Sequence, residues 1–236
     1  MKLSVIVPVY NEKDTILEVV EAIKKAPAFD LDKEIILVDD FSTDGTRDII
    51  FNFPRLPDGQ EFSIFNVKTI FNERNVGKGY SVRRGMAEVS SDFIIIQDAD
   101  FEYNPAEYEK LLAPLVAGEA DVIYGSRFKN SKFIFSAYYI ANKFLTFLSN
   151  LFTGLSLTDM ETCYKCFTRE ALNKILPHLK ANRFEIEPEI TAVAAKLDLK
   201  IKEVPISYSR RSYAQGKKIG WKDGLQAIIA IVKYSL

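Results

Sequence analysis

Short apolar runs that stop at polar clusters recur through the first half of this chain. Leu3–Tyr10 (LSVIVPVY), Glu34–Asp40 (EIILVDD), Phe62–Asn72, Asp92–Asp100 (DFIIIQDAD) and Asp121–Arg127 (DVIYGSR) each read as a strand. Near-continuous apolarity implies a sheet covered on both faces, hence mostly parallel pairing. Between the first two runs, Ile16, Val19, Val20 and Ile23 share one helical face, with Asp14 expected in the first turn. Pro105 suits the first turn of a later helix. Alternation of this kind predicts an α/β fold, a mostly parallel, doubly wound sheet flanked by helices. Ligands of such folds bind outside the carboxyl ends of the strands. The strands end in PVYNE, VDDFSTDGT, QDADFE and GSR, so these polar clusters are expected on one rim.

After Arg127 the pattern changes. Residues 134–155 (IFSAYYIANKFLTFLSNLFTGL) are aromatic-rich, with Lys143 the one charged residue, and Tyr139, Asn142, Lys143 and Thr146 fall in its seams. A strand-like CYKCFT, two helical pieces and a late strand within Lys200–Ser209 follow. A final segment carries Leu225, Ile228, Ile229 and Val232 at helical spacing. No run of about 18 uncharged apolar residues is present, so a conventional membrane span is not expected. Residues 134–155 and the C-terminal helix are nonetheless too apolar for simple exposed helices. They are expected either in the plane of a membrane interface or against the core.

Bulk composition narrows the field. With 236 residues, 47% hydrophobic and 27% charged, the chain suits one large folded domain. A net charge of -1 gives no global attraction to nucleic acid, so no nucleic-acid partner is expected. Cys163 and Cys166 are too few for a disulfide framework and suggest a reducing, cytoplasmic setting. With His178 the single histidine, four zinc ligands of the Cys and His type are lacking. Both thiols are expected buried and inert, and His178 at a surface or helix end.

The chemistry lies in the strand-end clusters. Asp98-Ala99-Asp100 places two carboxylates on one side of an extended chain. Hard cations such as Mg²⁺ or Mn²⁺ favour such oxygen ligands and share them with substrate phosphates. Asp39 and Asp40 are positioned to accept hydrogen bonds from a base or ribose, whereas Ser42, Thr43 and Asp44 build a turn and helix cap. Asn75-Val76-Gly77-Lys78-Gly79 lacks the first glycine and spacer of a Walker loop, which argues against an ATPase, although Lys78 remains able to reach a nucleotide. Arg127 is well placed for an anion, and the loop Ser209–Lys218, with Arg211 and Lys217, suits phosphate.

Taken together, VPVYNE, VDDFSTDGT, NVGKG, QDAD, GSRF, TDMETCYKCF and the basic loop before IGWKDG resemble glycosyltransferase family 2, with its GT-A nucleotide-sugar fold. The likeness is greatest to polyprenyl-phosphate or dolichyl-phosphate mannose and glucose synthases. It implies a single domain, residues 1–127 forming the nucleotide-binding half and 128–236 the acceptor half with interfacial helices. It further implies a nucleotide-sugar donor bound by Pro8, Tyr10, Asn11, Glu12, Asp39, Lys78, Asp98, Ala99 and Asp100. Metal would sit on Asp98 and Asp100, with Glu102 a third ligand where relatives often have glutamine. Arg127, Arg211 and Lys217 would bind the acceptor phosphate, with Lys143 standing in for a second basic residue that has no clear counterpart. A peripheral enzyme on the cytoplasmic face of a membrane is the expectation. Two others compete with it: a saccharide-extending transferase using Asp159 or Glu161 as base, and an inactive nucleotide-binding scaffold.

Overall fold

The computed structural model describes residues 1–52, 66–129, 137–210 and 221–235. Among these, seven strands form one sheet in the order β3-β2-β1-β4-β6-β5-β7. Strand β1 (Lys2–Val9) lies between β2 (Asp32–Asp39) and β4 (Phe93–Ile96), and β2 pairs with β3 (Asn66–Phe71), all in parallel. Strand β5 (Val122–Ser126) runs parallel to β7 (Ile201–Pro205). Val5, Ile6, Ile36 and Ile95 on the central strands are wholly buried, as the apolar runs require.

One strand breaks the parallel pattern. Strand β6 (Lys165–Thr168) is antiparallel to both β4 and β5, with Ile95 opposite Cys166 and Tyr124 opposite Lys165. An antiparallel strand begins where its parallel neighbours end. The residues just before β6, 159–163, are thereby delivered to the carboxyl rim.

Helices α1 (Ile16–Lys25), α2 (Thr46–Asn52), α3 (Lys78–Ala87) and α4 (Tyr108–Val116) alternate with the early strands. Helix α1 buries Ile16, Val19, Val20 and Ile23, as their spacing predicts. Asp14 is not in its first turn: Thr15 occupies the cap position, and Glu18 is the acid facing the helix dipole. Pro105 opens a 3₁₀ turn, Pro105–Glu107, that leads into α4, and the Asn104 side chain accepts from the Ala106 amide at 3.0 Å. Helices α6 (Arg169–Ile175) and α7 (Ile186–Lys196) flank β6 and β7, and exposed His178 ends the 3₁₀ turn that continues α6.

Helix α5 (Ala137–Thr153) is amphipathic in the inverted sense. Its polar Asn142, Thr146 and Ser149 are buried, whereas Ile140, Phe144, Phe147 and Leu151 face outward, 47–68% exposed. Helix α8 (Trp221–Ser235) packs against α5, burying Ala227, Ala230 and Ile231 and exposing Leu225 and Ile229.

Candidate functional site

The loops after β1 and β2 are tied together at the rim. Asn11, with a left-handed φ of 52°, donates its amide to Ser42 Oγ at 2.9 Å and accepts from the Thr43 amide at 2.8 Å through Oδ1. The Glu12 amide donates to Thr46 Oγ1 at 2.9 Å. Pro8 pairs with Val38 across the sheet, and half-buried Tyr10 follows β1 on the same rim. The turn made by Ser42, Thr43 and Asp44 is therefore structural, as expected of it.

Two aspartates end β2. Asp40 Oδ1 accepts from Asn72 Nδ2 at 2.7 Å and the Val76 amide at 3.0 Å, and Oδ2 accepts from the Gly77 amide at 2.7 Å. Its carboxylate thus anchors the 75–77 turn, a structural role that the sequence did not assign to it. Asp39 is also fully buried, facing the Ser42 amide at 3.2 Å and Arg47 Nε at 3.3 Å. The Arg47 guanidinium lies 5.4 Å from the centroid of the Phe41 ring, which is itself exposed at this rim.

Asp98 and Asp100 leave the end of β4 toward the same rim. Lys78, the first residue of α3, places Nζ 2.8 Å from Asp98 Oδ1 and 3.3 Å from Glu187 Oε1. Burial opposes the charge on Lys78, but Asp98, Cys163 and Glu187 outweigh it and hold its ammonium well above the ordinary lysine range. Gly77 makes this placement possible. At φ 122° it passes so near Asn182 that a Cβ would stand 2.5 Å from the Asn182 carbonyl oxygen. Asp100 Oδ1 accepts from the Glu102 amide at 2.9 Å, and Glu102 Oε2 accepts from the Tyr208 hydroxyl at 2.9 Å. The Ala99 carbonyl is held by Thr15 Oγ1 at 2.9 Å, which pins the D-A-D segment to α1.

Arg127, at the end of β5, is buried at 7% exposure inside an aromatic cage of Phe128, Tyr138 and Tyr208. Its Nε and Nη2 each donate to the Asp159 carboxylate at 2.7 Å, and its amide donates to Asp159 at 2.9 Å. Further donors go to the Tyr138 hydroxyl and to Asn142 Oδ1, leaving one of its five N–H groups uncommitted among the described residues. Asp159, fully buried, takes three bonds from Arg127, which counts against the role of base that the saccharide reading offered to it or to Glu161. Lys143 donates to the Thr158 carbonyl at 3.2 Å, with its ammonium 5.9 Å from the centroid of the Phe128 ring that Arg127 also faces. Exposed Arg210 stacks 4.5 Å from the centroid of the Tyr138 ring, adding a third cation. Arg211 and Lys217 lie outside the described residues.

Two buried residues of this rim escaped the sequence reading. Lys165 is wholly buried, donating Nζ to the Met160 carbonyl at 3.0 Å, to the Thr162 carbonyl and to Glu187. Glu187, in the first turn of α7, joins Lys165 to Lys78. The available signal was a lysine inside the apolar CYKCF, since a charged residue there is buried only when paired. Both cysteines are free and buried, as expected, and burial followed by the Asp98 charge pushes the Cys163 thiol well up.

Comparison with known proteins identifies the family. The chain is 29% identical over 227 residues to a UDP-N-acetylglucosamine--dolichyl-phosphate N-acetylglucosaminyltransferase of Methanococcus voltae, covering 91% of this chain and 89% of that one. It is 28% identical over 226 residues to a dolichyl-phosphate beta-glucosyltransferase of Trichomonas vaginalis, covering 88% and 65%. Among solved structures, glucosyl-3-phosphoglycerate synthase of Mycobacterium tuberculosis, crystallised with Mn²⁺, UDP and phosphoglyceric acid, shares the fold. That match has a TM-score of 0.73 at 19% identity over 99% of this chain and 78% of that one. The model of the family described as glycosyl transferase family 2 matches residues 4–176, more than half the chain. The protein therefore belongs to glycosyl transferase family 2 and is a glycosyltransferase with the GT-A fold.

Proposed function

We propose that this enzyme moves a hexose from a nucleoside diphosphate donor to a polyprenyl phosphate at a membrane surface, with inversion and with the help of Mg²⁺ or Mn²⁺. The observation that carries the acceptor half is the inverted amphipathicity of α5. The helix contributes Tyr138, Asn142 and Lys143 to the cation cluster around Arg127, yet turns Ile140, Phe144, Phe147 and Leu151 to the outside. An anionic headgroup on an apolar tail matches a cationic pocket beside an exposed apolar face. No helix among the described residues is long and apolar enough to cross a membrane, so contact through this face is the form of association the reading requires. The acceptor and donor named for the Methanococcus voltae relative support it.

The metal half rests on Asp98 and Asp100. Among the described residues no three His, Cys, Asp or Glu side chains form a cage. That fits Mg²⁺ or Mn²⁺, which use one or two carboxylates and complete their shells with water and substrate phosphate. Bound there, the ion would act as a Lewis acid toward the departing diphosphate. Glu102, expected as a third ligand, instead accepts from the Tyr208 hydroxyl and is not grouped with the two aspartates among the described residues. The chain itself supplies the Lys78 ammonium beside Asp98, a second positive charge for that diphosphate.

A phosphate monoester, with a second pKa of about 6, arrives ionised and needs no base. Arg127, Lys143 and Arg210 would neutralise and align it for displacement at the anomeric carbon. A saccharide hydroxyl would need a base; of the two candidates Asp159 is locked to Arg127, which leaves Glu161. An acceptor panel tests this. UDP-glucose, UDP-N-acetylglucosamine and GDP-mannose are offered with Mn²⁺ to vesicles holding polyprenyl phosphate or polyprenol, or to a soluble oligosaccharide. Product is expected with polyprenyl phosphate alone. Transfer to oligosaccharide or polyprenol with none to the phosphate overturns the proposal.

A further inference from the structure

The segment before β6 spans the two halves of the site. At one end Asp159 holds Arg127, and at the other Cys163 lies near enough to Asp98 for its thiol to feel that charge. Glu161 is the midpoint. Lys165 clamps the peptides on either side of it, through the carbonyls of Met160 and Thr162. Its Oε1 is shielded from solvent and has no hydrogen-bond partner among the described residues. Burial, followed by the nearby Glu187 charge, raises its carboxyl to about 7, with Lys165 and Arg127 opposing the shift and Asp159 adding to it.

A shielded acceptor oxygen with no donor is costly unless something else supplies one. Asp98 marks where the donor diphosphate would lie, and Arg127 where the acceptor phosphate would. The sugar in transit must pass between them, and the segment 159–163, which has Glu161 at its midpoint, runs from one to the other. We propose that Glu161 accepts a hydrogen bond from a hydroxyl of the transferred sugar and so helps to select that sugar. This rests on the donor reading above. It concerns the sugar alone, not the nucleotide or the lipid. A carboxylate that accepts from a hydroxyl loses part of its charge penalty, so a bound sugar would offset part of the cost of its burial.

Titration calorimetry in Mn²⁺ compares UDP with UDP-glucose and UDP-N-acetylglucosamine, and GDP with GDP-mannose, on wild type and on Glu161→Gln and Glu161→Ala. Glu161→Gln is expected to lose about tenfold in affinity for the preferred nucleotide-sugar, while its affinity for the matching nucleoside diphosphate stays within about twofold. Glu161→Ala is expected to lose at least as much of the sugar-dependent increment. If both variants keep that increment, or lose nucleotide-sugar and diphosphate alike, the proposal is overturned and the donor reading stands. If wild type binds none of these nucleotides, the donor reading itself has failed, and this inference with it.

Discussion

Replacing Asp159 by alanine separates a structural carboxylate from a catalytic one. The side chain is fully buried and receives three hydrogen bonds from Arg127, at 2.7, 2.7 and 2.9 Å. Without it a buried guanidinium keeps, among the described residues, only Tyr138 and Asn142 as hydrogen-bond partners. Leaving a buried charge without its counter-ion costs about 3–5 kcal/mol. For a chain of this length each kcal/mol lowers the melting temperature by about 2–4 °C, so a fall on the order of 10 °C is expected. Asp159→Asn keeps one acceptor oxygen and loses less. The double variant Arg127→Met with Asp159→Leu removes both charges and regains more than half of the loss, because an apolar pair of similar volume replaces a buried ion pair at little cost. Differential scanning calorimetry on the four proteins reads all of this. A melting temperature for Asp159→Ala within about 2 °C of wild type, with turnover abolished, would refute the reasoning and restore Asp159 as a base.

Other expectations follow from the same geometry. Glu161 holds its proton to about 7 when folded, against 4.5 for the free group, so folding takes up a proton between those values. Its contribution to stability therefore falls as pH rises through that window and is level above it. Glu161→Gln should gain stability over wild type on going from pH 5 to pH 8, by about 2.5 kcal/mol at roughly 1.4 kcal/mol per unit, since part of the window lies below pH 5. Urea denaturation at the two pH values checks this, and an unchanged difference contradicts it. Gly77→Ala meets both the φ of 122° and the 2.5 Å approach to the Asn182 carbonyl, and should cost about 2 kcal/mol or more. A wild-type melt would refute that. Changing Phe147 and Leu151, 64% and 68% exposed, to aspartate removes about 2 kcal/mol of interfacial burial each. Co-sedimentation with polyprenyl-phosphate vesicles should drop on the order of a thousandfold for the double variant while the melting temperature holds, and undiminished binding speaks against the membrane face.

Much of the fold was legible because its parallel strands are apolar on both faces, and a run such as IILV or FIII admits little else. The rim was legible for the same reason, since each run ends where the polar cluster begins. The antiparallel sense of β6 was not, because direction leaves no mark in a four-residue strand. Without it, the placement of Asp159, Glu161 and Cys163 between the two halves could not be derived. The turn-anchoring role of Asp40 was not legible, because a carboxylate that caps backbone amides and one that binds ribose have the same spacing. The Val76 and Gly77 amides on its oxygens reveal it. Helix α5 was left between core and interface, since its polar seam fits either. The burial of Asn142, Thr146 and Ser149 shows that the seam, not the apolar stripe, packs inward.

Metal-dependent transfer to a lipid phosphate is tested most directly by comparing wild type with Asp100→Asn in vesicles holding polyprenyl phosphate, each given the preferred nucleotide-sugar across a Mn²⁺ titration from chelator upward. The account predicts turnover that rises with metal in wild type and falls by a hundredfold or more, about 3 kcal/mol of lost charge stabilisation, in the variant. Equal turnover in the two proteins, or full wild-type activity in excess chelator, would contradict it.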